Sequence, residues 1–290
     1  MNKNKFIVGL GEALWDMLPT GKKLGGAPAN FAYHVSQQGL KGIAVSAVGS
    51  DALGYGIIDA LKENNLDFYM QSVAYPTGVV NVELIDGKPD YHIVEDVAWD
   101  NIEFTPHMEY IARNACAVCF GSLAQRSPKS RHTVRRFIET MGVGDGIYRV
   151  FDINLRQHFY SRDVIEESLR LSNVFKINDD EIKIITPMFE LTEGDYEASC
   201  RKLIAMFDLD IVILTCGEKG SFIFTNDGET SFQSTPKVDA IDTVGAGDSF
   251  TATFICGLIN GKGIVAAHKA ATEVAAYVCT CHGAMPEYKK

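Results

Sequence analysis

The segment DTVGAGDSF at residues 242–250 combines a glycine-rich turn with a carboxylate. Irregular sequence gives way here to an amphipathic helical pattern, so Gly245, Ala246 and Gly247 are predicted to form a tight turn at a helix N-terminus. Unpaired backbone N–H groups and the positive end of the helix dipole bind anions there, and glycine lets a phosphate approach the backbone. The segment therefore predicts an anion site.

Asp248 falls in the first turn of that predicted helix, beside the anion. A carboxylate repels a bound phosphate, so it suits this place if it takes a proton from a hydroxyl that attacks the phosphate. The alternative is that Asp248 caps the helix and interacts favourably with its dipole.

A second glycine turn, LGGAPANFA at 24–32, opens the first long helical pattern. Pro28 suits an initial helical position, and the two glycines allow a close approach to the backbone. Asn30 can both donate and accept hydrogen bonds, which is what recognition of sugar hydroxyls requires. The alternative is a plain helix start.

Two common nucleotide-binding patterns are absent from the sequence. GxxxxGK[ST] occurs nowhere, and the pair Gly9 and Gly11 lacks the third glycine of GxGxxG because residue 14 is leucine. Neither a Walker-type ATPase nor a dinucleotide dehydrogenase is supported.

Short apolar runs alternate with helical patterns along most of the chain. The runs lie at 6–10, 43–48, 115–120, 148–153, 174–177 and 211–214, and the helical patterns at 29–38, 53–63, 130–141, 164–171 and 196–207. This alternation predicts a mostly parallel sheet with helices on both faces. Two amphipathic helices are expected in the last sixty residues, and a hairpin around the Asp86-Gly87 turn, between 78 and 94, interrupts the rhythm.

Composition limits the partners of the chain. With 27 Lys+Arg against 37 Asp+Glu in 290 residues, the net charge of −10 predicts no diffuse attraction to nucleic acid or to an anionic membrane. The apolar run at 6–10 is too short for a signal peptide, and no segment approaches the roughly 20 apolar residues that span a bilayer. No long linker divides the sequence, so we expect a single domain over residues 1–290, located in the cytoplasm.

Five ordered motifs together resemble the ribokinase-like (PfkB-type) carbohydrate kinases. They are GGAPANFA at 25–32, DINLR at 152–156, NDDE at 178–181, TCGEKG at 215–220 and DTVGAGDSF at 242–250. With GEALWDMLP at 11–19, the chain is most similar to the bacterial fructokinases. The resemblance implies a Rossmann-like α/β fold with a mostly parallel central sheet flanked by helices. A small β lid is implied at approximately residues 12–20 and 75–98, through which such kinases often form homodimers.

The resemblance also implies an activity and its cofactors. ATP would phosphorylate a primary hydroxyl of a small sugar, most similarly fructose to fructose 6-phosphate, with Mg²⁺ and with a monovalent cation such as K⁺ near the anion hole.

Site roles follow from the motif positions. Asp248 resembles the catalytic base, and the anion hole corresponds to the backbone of Gly245, Ala246 and Gly247. Asp16, Gly26 and Asn30 match sugar-binding positions. The ATP-binding positions are Asn178 and Glu181, which organise Mg²⁺ and phosphates through water, and Thr215, Gly217 and Gly220.

Two further assignments have weaker support. Arg156 is expected to reach donor phosphates or substrate, with a surface ion pair as the alternative. Asp242 and the carbonyls of Val244 and Gly283 match positions that hold the cation in relatives, although VCTCHGA at 278–284 departs from the commoner family sequence.

The acceptor and the activity leave alternatives open. The acceptor can instead be 2-keto-3-deoxygluconate, ribose, or another ketose or nucleoside; an acidic one needs a cation, for which Arg156 is the candidate. A sugar-binding regulator without catalysis is the second alternative, and the intact Asp248 and glycine turn argue against it. Trp15 and Trp99 either cover a sugar face or pack the lid.

Overall fold

A nine-stranded sheet lies at the centre of the structure, a computed structural model that describes residues 5–18, 21–85 and 88–288. The strands are, in chain order, β1 (Phe6–Leu10), β2 (Leu14–Leu18), β3 (Gly21–Gly25), β4 (Gly42–Gly49), β5 (Asp67–Val73), β6 (Gly78–Ile85), β7 (Lys88–Ile93), β8 (Ala115–Phe120), β9 (Tyr148–Asp152), β10 (Val174–Asn178), β11 (Ile211–Thr215), β12 (Ser221–Thr225) and β13 (Thr230–Gln233). The large sheet has the order β13-β12-β11-β10-β9-β8-β1-β4-β5, parallel except where β12 and β13 join β11. The predicted mostly parallel α/β architecture is confirmed.

Helices cover both faces of the large sheet. They are α1 (Ala27–Gln37), α2 (Ala52–Glu63), α3 (Pro106–Arg113), α4 (Pro128–Thr140), α5 (Arg162–Leu171), α6 (Glu181–Ile185), α7 (Tyr196–Phe207), α8 (Ala246–Ile259) and α9 (Ile264–Cys279). Successive residues of β1 point to opposite faces: Ile7 belongs to the apolar cluster that includes side chains of α1, α8 and α9, whereas Val8 belongs to the cluster that includes side chains of α3 to α7. Both faces of the sheet are thus buried, as continuous apolar strands require.

A separate four-stranded sheet has the order β3-β2-β6-β7, and we call it the small sheet. β2 pairs with β6 in parallel, and the other two pairings are antiparallel. β6 and β7 confirm the predicted hairpin, while its predicted Asp86-Gly87 turn lies outside the described residues. The predicted lid segments at 12–20 and 75–98 contain β2, β6 and β7, whereas β3 lies outside them, and residues 19, 20, 86 and 87 are not described.

The two tryptophans pack inside the protein and do not present a free face to a ligand. Trp99 is completely buried, and the guanidinium of Arg126 lies 4.0 Å from its ring centroid. The Nε1 atom of Trp15 donates to the carbonyl of Leu53 at 2.9 Å. The sequence had left sugar stacking open for both residues, and their burial favours packing.

Besides the Trp15–Leu53 bond, further polar contacts tie the small sheet to the rest of the molecule. Gln157 Nε2 donates to the carbonyl of Tyr91 in β7, and Arg126 donates to the carbonyl of Val94 just after β7. Lys23 of β3 lies 3.7 Å from a carboxylate oxygen of Asp242. Within the described ranges, no helix is both long and apolar enough to cross a membrane.

Candidate active site

The site residues converge because parallel strands end at one edge of their sheet. β1, β9, β10 and β11 run in the same direction, and their carboxyl ends lead into the segments that begin at Gly11, Ile153, Asp179 and Cys216. Ligands of open α/β sheets bind at this edge. The first turns of α1 and α8 reach it as well, since side chains of the two turns are hydrogen-bonded to each other.

The turn before α8 has the features expected of an anion site. Gly245 is the residue preceding the helix and has a φ of 80°, and a methyl group there would lie 2.8 Å from the backbone of Ala284, so only glycine fits. The amide of Ala246 makes one long bond to the carbonyl of Thr243, at 3.3 Å. In the described chain the amides of Gly245 and Gly247 have no acceptor, which leaves them for a ligand.

The turn before α1 needs glycine for the same steric reason. Gly26 has a φ of 119°, and a methyl group on it would lie 2.4 Å from the carbonyl oxygen of Glu12. This close approach brings the segment after β1 against the N-terminus of α1. The carbonyl of Gly26 accepts the amide of Asn30, which places the Asn30 side chain on the first turn.

Asn30 and Asp248 join the two helix starts. The Nδ2 atom of Asn30 donates to Oδ2 of Asp248 at 2.7 Å. Desolvation, followed by the nearby negative charge of Asp152, raises the pKa of Asp248 to about 6, while Asn30, Lys176 and Arg156 oppose the rise. Asp248 Oδ1 has no hydrogen-bond partner among the described residues, so this oxygen is available to a hydroxyl proton. The helix-cap alternative is not favoured, because the Asp248 side chain accepts no backbone amide among the described residues of the α8 start.

A buried ion pair lies under the anion site, and the sequence reasoning did not single it out. Lys176 Nζ is 2.9 Å from Asp152 Oδ1, and both side chains are buried. A methyl group on Gly247 would lie 3.4 Å from Lys176 Nζ, so the ammonium group sits directly beside the turn. Burial lowers the pKa of Lys176, but Asp152 and Glu181 outweigh that effect and raise it. The lysine therefore stays charged beneath the place where phosphate charge is predicted.

Glu12 is a second residue that the sequence reasoning did not assign to the site. Its side chain is 4 % exposed. Desolvation raises its pKa to about 7, and the charge of Asp248 adds to the rise, while Arg156 and nearby backbone N–H groups oppose it. The sequence feature that could have identified Glu12 as a site residue is its position directly after Gly11, at the end of β1.

Asp16 and Arg156 interact electrostatically. Asp16 lies half-buried on β2, and desolvation raises its pKa while Arg156 and Lys23 lower it. Arg156 is exposed; its guanidinium donates to the carbonyl of Leu155 and, in the part of the chain described, forms no ion pair. The alternative of a surface ion pair for Arg156 is thus not favoured, and its charge is directed toward the carboxylates of the site.

Asn178 and Glu181 are engaged with backbone amides. The carboxylate of Glu181 accepts the amides of Leu155 and Asn178, and the side-chain oxygen of Asn178 accepts the amides of Asp180 and Glu181. Burial of Glu181 raises its pKa, and Lys176 opposes the rise. The motif thereby holds the 154–156 loop against the end of β10.

The predicted nucleotide turn follows β11. Thr215 ends this strand, and its carbonyl accepts the amide of Asp179. Gly217 and Gly220 have φ values of 54° and 117°, and a methyl group on Gly220 would lie 2.4 Å from the carbonyl of Gln233. The turn is tight and stands beside the Asn178 segment.

Asp242, Val244 and Gly283 also come together. The two carboxylate oxygens of Asp242 accept the amides of Val244 and Gly283, both at 3.1 Å. Burial raises the pKa of Asp242, but these amides and Lys23 lower it overall. The residues meet through backbone N–H groups, so a cation held by the two carbonyls stays a prediction.

The chain is similar to several known proteins. A family model described as pfkB family carbohydrate kinase matches residues 18–290. An uncharacterized sugar kinase of Pyrococcus horikoshii is 28% identical over 277 residues, which cover 89% of this chain and 84% of that protein. Its structure in complex with ATP superposes with a TM-score of 0.79 at 27% identity, over 95% of this chain and 93% of that one.

Other relatives carry different acceptors in their names. A fructokinase of Klebsiella pneumoniae is 28% identical over 266 residues, or 86% of this chain and 83% of the relative. A 5-dehydro-2-deoxygluconokinase of Geobacillus thermodenitrificans is 29% identical over 283 residues, or 91% of this chain and 82% of the relative.

Proposed function

The chain belongs to the pfkB family of carbohydrate kinases, and we propose that it transfers the terminal phosphate of ATP to a primary hydroxyl of fructose, giving fructose 6-phosphate. The ATP complex of the Pyrococcus relative supports ATP as the donor. The Klebsiella fructokinase supports fructose as the acceptor. A homodimer formed through the small sheet and a cytoplasmic location stay predictions.

The hydrogen bond between Asn30 and Asp248 carries the proposal. It joins the helix start predicted to bind the sugar to the helix start predicted to bind phosphate, at a distance of 2.7 Å. A hydroxyl held by Asp16 and Asn30 therefore lies within reach of the base. Such placement converts an encounter of two molecules into a reaction within one complex.

Asp248 would remove the hydroxyl proton as the oxygen attacks the phosphate. Its pKa of about 6 leaves it ionised at neutral pH yet basic enough to accept a proton. The amides of Gly245 and Gly247, with the ammonium of Lys176 beneath them, would stabilise the charge that spreads over the phosphate oxygens. ATP would supply the phosphoryl group. The protein would hold the sugar hydroxyl in place, accept its proton and stabilise the negative charge of the phosphate oxygens.

The donor set of the NDDE motif fits a hydrated metal ion. Because the oxygens of Asn178 and Glu181 already accept backbone amides, they suit contact with the water shell of Mg²⁺ better than direct coordination. Mg²⁺ loses its water reluctantly, so this mode agrees with its chemistry. Asp242, with the carbonyls of Val244 and Gly283, remains the proposed place for K⁺.

A second acceptor class is favoured by one observation. Arg156 carries an exposed guanidinium that lacks an ion pair in the described chain, and its charge acts on Asp16, a predicted sugar-binding residue. The Geobacillus relative, named for an acidic sugar, adds weight to this alternative. An acidic acceptor such as 2-keto-3-deoxygluconate would pair with Arg156.

A panel of acceptors tests the proposal. Fructose, glucose, mannose, ribose, 2-keto-3-deoxygluconate and 5-dehydro-2-deoxygluconate are each incubated with MgATP, and ADP release is followed by a coupled assay. We expect the highest kcat/KM with fructose and phosphorylation at its C6 hydroxyl by NMR. Binding of a sugar without ADP release would instead support the catalytically silent regulator.

Arg156→Ala separates the two acceptor classes. With fructose we expect KM to change less than about threefold, since a neutral sugar offers no charge to the guanidinium. The acid limb of the pH profile should move to higher pH, because Arg156 opposes the rise in the pKa of Asp248. With an acidic sugar, KM should rise roughly tenfold or more, since a hydrogen bond to a charged group contributes about 1.5–3 kcal/mol.

Arg113→Ala is the matched control, because Arg113 is exposed on α3 and pairs only with Glu109 within the described residues. It should leave both KM values unchanged. An equal rise of KM for fructose and for the acidic sugar in Arg156→Ala would contradict the charge-pairing role of Arg156.

A further inference from the structure

Two buried oxygen atoms of the site lack hydrogen-bond donors. They are Oε2 of Glu12 and Oδ1 of Asn30, and both are closed off from solvent. Buried polar atoms are nearly always hydrogen-bonded, and leaving one unpaired costs about 1–3 kcal/mol. An ionised carboxylate oxygen and an amide oxygen are both hydrogen-bond acceptors. A proton on the Glu12 carboxyl would supply the donor that both atoms lack.

Both side chains lie at the start of α1. The backbone N–H of Ala27, the first residue of α1, interacts with the carboxyl of Glu12. Asn30 lies three residues further along, and helical side chains lean toward the helix N-terminus and cover the preceding turn. Its amide group therefore lies over the Gly26–Ala27 turn, where the Glu12 carboxyl stands.

Several charged groups surround Glu12 and set its ionisation. Arg156 from the loop after β9 favours the charged form, and Asp248 from α8 disfavours it. Beyond Asp248 lie the Lys176–Asp152 ion pair and the thiol of Cys119, whose pKa burial raises well above its ordinary value. Burial has the largest effect and raises the pKa of Glu12 to about 7, so its neutral form predominates below about pH 7.

We propose that Glu12 carries a proton in the resting enzyme and donates it in a hydrogen bond to Oδ1 of Asn30. One proton then satisfies both unpartnered oxygens. The proton also completes a series of two hydrogen bonds: Glu12 donates to Oδ1 of Asn30, and Nδ2 of Asn30 donates to Asp248 at 2.7 Å. Glu12 is thus a positioning residue for the base, and this inference rests on the kinase function proposed above.

Loss of the Glu12 proton has a definite consequence. The ionised carboxylate can no longer donate, and it attracts the NH₂ group of Asn30 in place of the oxygen. An amide flip would then turn Oδ1 toward Asp248, so that two acceptors face each other and the bond to the base is lost. Activity should therefore decline as pH rises through about 7.

The Glu12→Gln variant tests the proposed hydrogen bond from Glu12 to Asn30 directly. The glutamine NH₂ donates to Asn30 at every pH, and its oxygen still accepts the Ala27 amide. Below about pH 7 the variant should match the wild type in kcat/KM and in its acid limb. Above about pH 7 the wild type should lose roughly tenfold in kcat/KM, as expected for a lost hydrogen bond to a charged group, whereas the variant should stay level.

Glu139→Gln is the matched control, since Glu139 is exposed on α4 and pairs with Arg135. It should keep the wild-type profile. If Glu12 merely held the start of α1, Glu12→Gln would keep the wild-type alkaline decline, and that result would overturn the proposal.

Infrared difference spectroscopy gives a readout that needs no turnover. The wild type minus Glu12→Gln spectrum at about pH 6 should contain the C=O stretch of a protonated carboxyl, and this band should disappear above about pH 8. Absence of the band at the lower pH would overturn the proposal. If no sugar in the panel turned over, the proposed kinase function would fail, yet this spectrum would still decide the state of Glu12.

Discussion

Replacing Asp248 by asparagine is expected to lower kcat by roughly 10²–10⁴, the usual contribution of a general base. The asparagine amide can still accept the bond from Asn30 through its oxygen, so the first turn of α8 and the sugar subsite should keep their geometry. Sugar affinity, measured by isothermal titration without ATP, should stay within about threefold of the wild type.

Asp59→Asn provides the control for this variant. Asp59 is exposed on α2 and pairs with Lys62, away from the site, so kcat should be unchanged. An Asp248→Asn enzyme with wild-type kcat would remove the base from the proposed mechanism. Loss of sugar affinity in step with kcat would show that Asp248 acts in binding and not in proton transfer.

Lys176→Met is expected to destabilise the protein by about 3–5 kcal/mol, because it leaves Asp152 buried without its partner. Urea denaturation should show the loss as a lower midpoint with an unchanged slope. The lysine charge also opposes the rise in the pKa of Asp248, so the acid limb of activity in surviving folded enzyme should move to higher pH.

The double variant Lys176→Met with Asp152→Asn tests the cause. Removing both charges should recover most of the lost stability, since the cost comes from one uncompensated ion. Lys62→Met, at an exposed site on α2, should change stability by less than about 0.5 kcal/mol. A double variant no more stable than Lys176→Met alone would mean that lost packing, and not the stranded charge, causes the effect.

Much of the large sheet could be predicted because its strands are continuous apolar runs between clear helical patterns. The run at 115–120 and the pattern at 196–207 match β8 and α7 to the residue. β5 was missed because its sequence, DFYMQSV, is only partly buried and lies at the sheet edge. β3 was missed because a short strand with charged residues, GKKLG, gains its structure from pairing and not from its own pattern.

The site residues also differ in how far the sequence could predict them. Residues in glycine turns, such as Gly245 and Gly26, could be predicted because their local conformation demands glycine. Lys176 and Glu12 could not be predicted as site residues. Their roles depend on neighbouring residues that are distant in the sequence and are brought close only by the fold. Asp248 was predictable, whereas the Asp152 charge that raises its pKa became evident only in the folded chain.

The arrangement of α1 and α8 has a consequence for how new specificities can arise. Both helices pack on one face of the large sheet through fully buried side chains such as Phe31 and Phe254. The packing of the hydrophobic core therefore fixes the distance between Asn30 and Asp248. Asp16, in contrast, stands on β2 of the small sheet. The residues proposed to bind the sugar are therefore divided between two sheets, and exchange of the small sheet between relatives would replace Asp16 while leaving the Asn30–Asp248 pair in place.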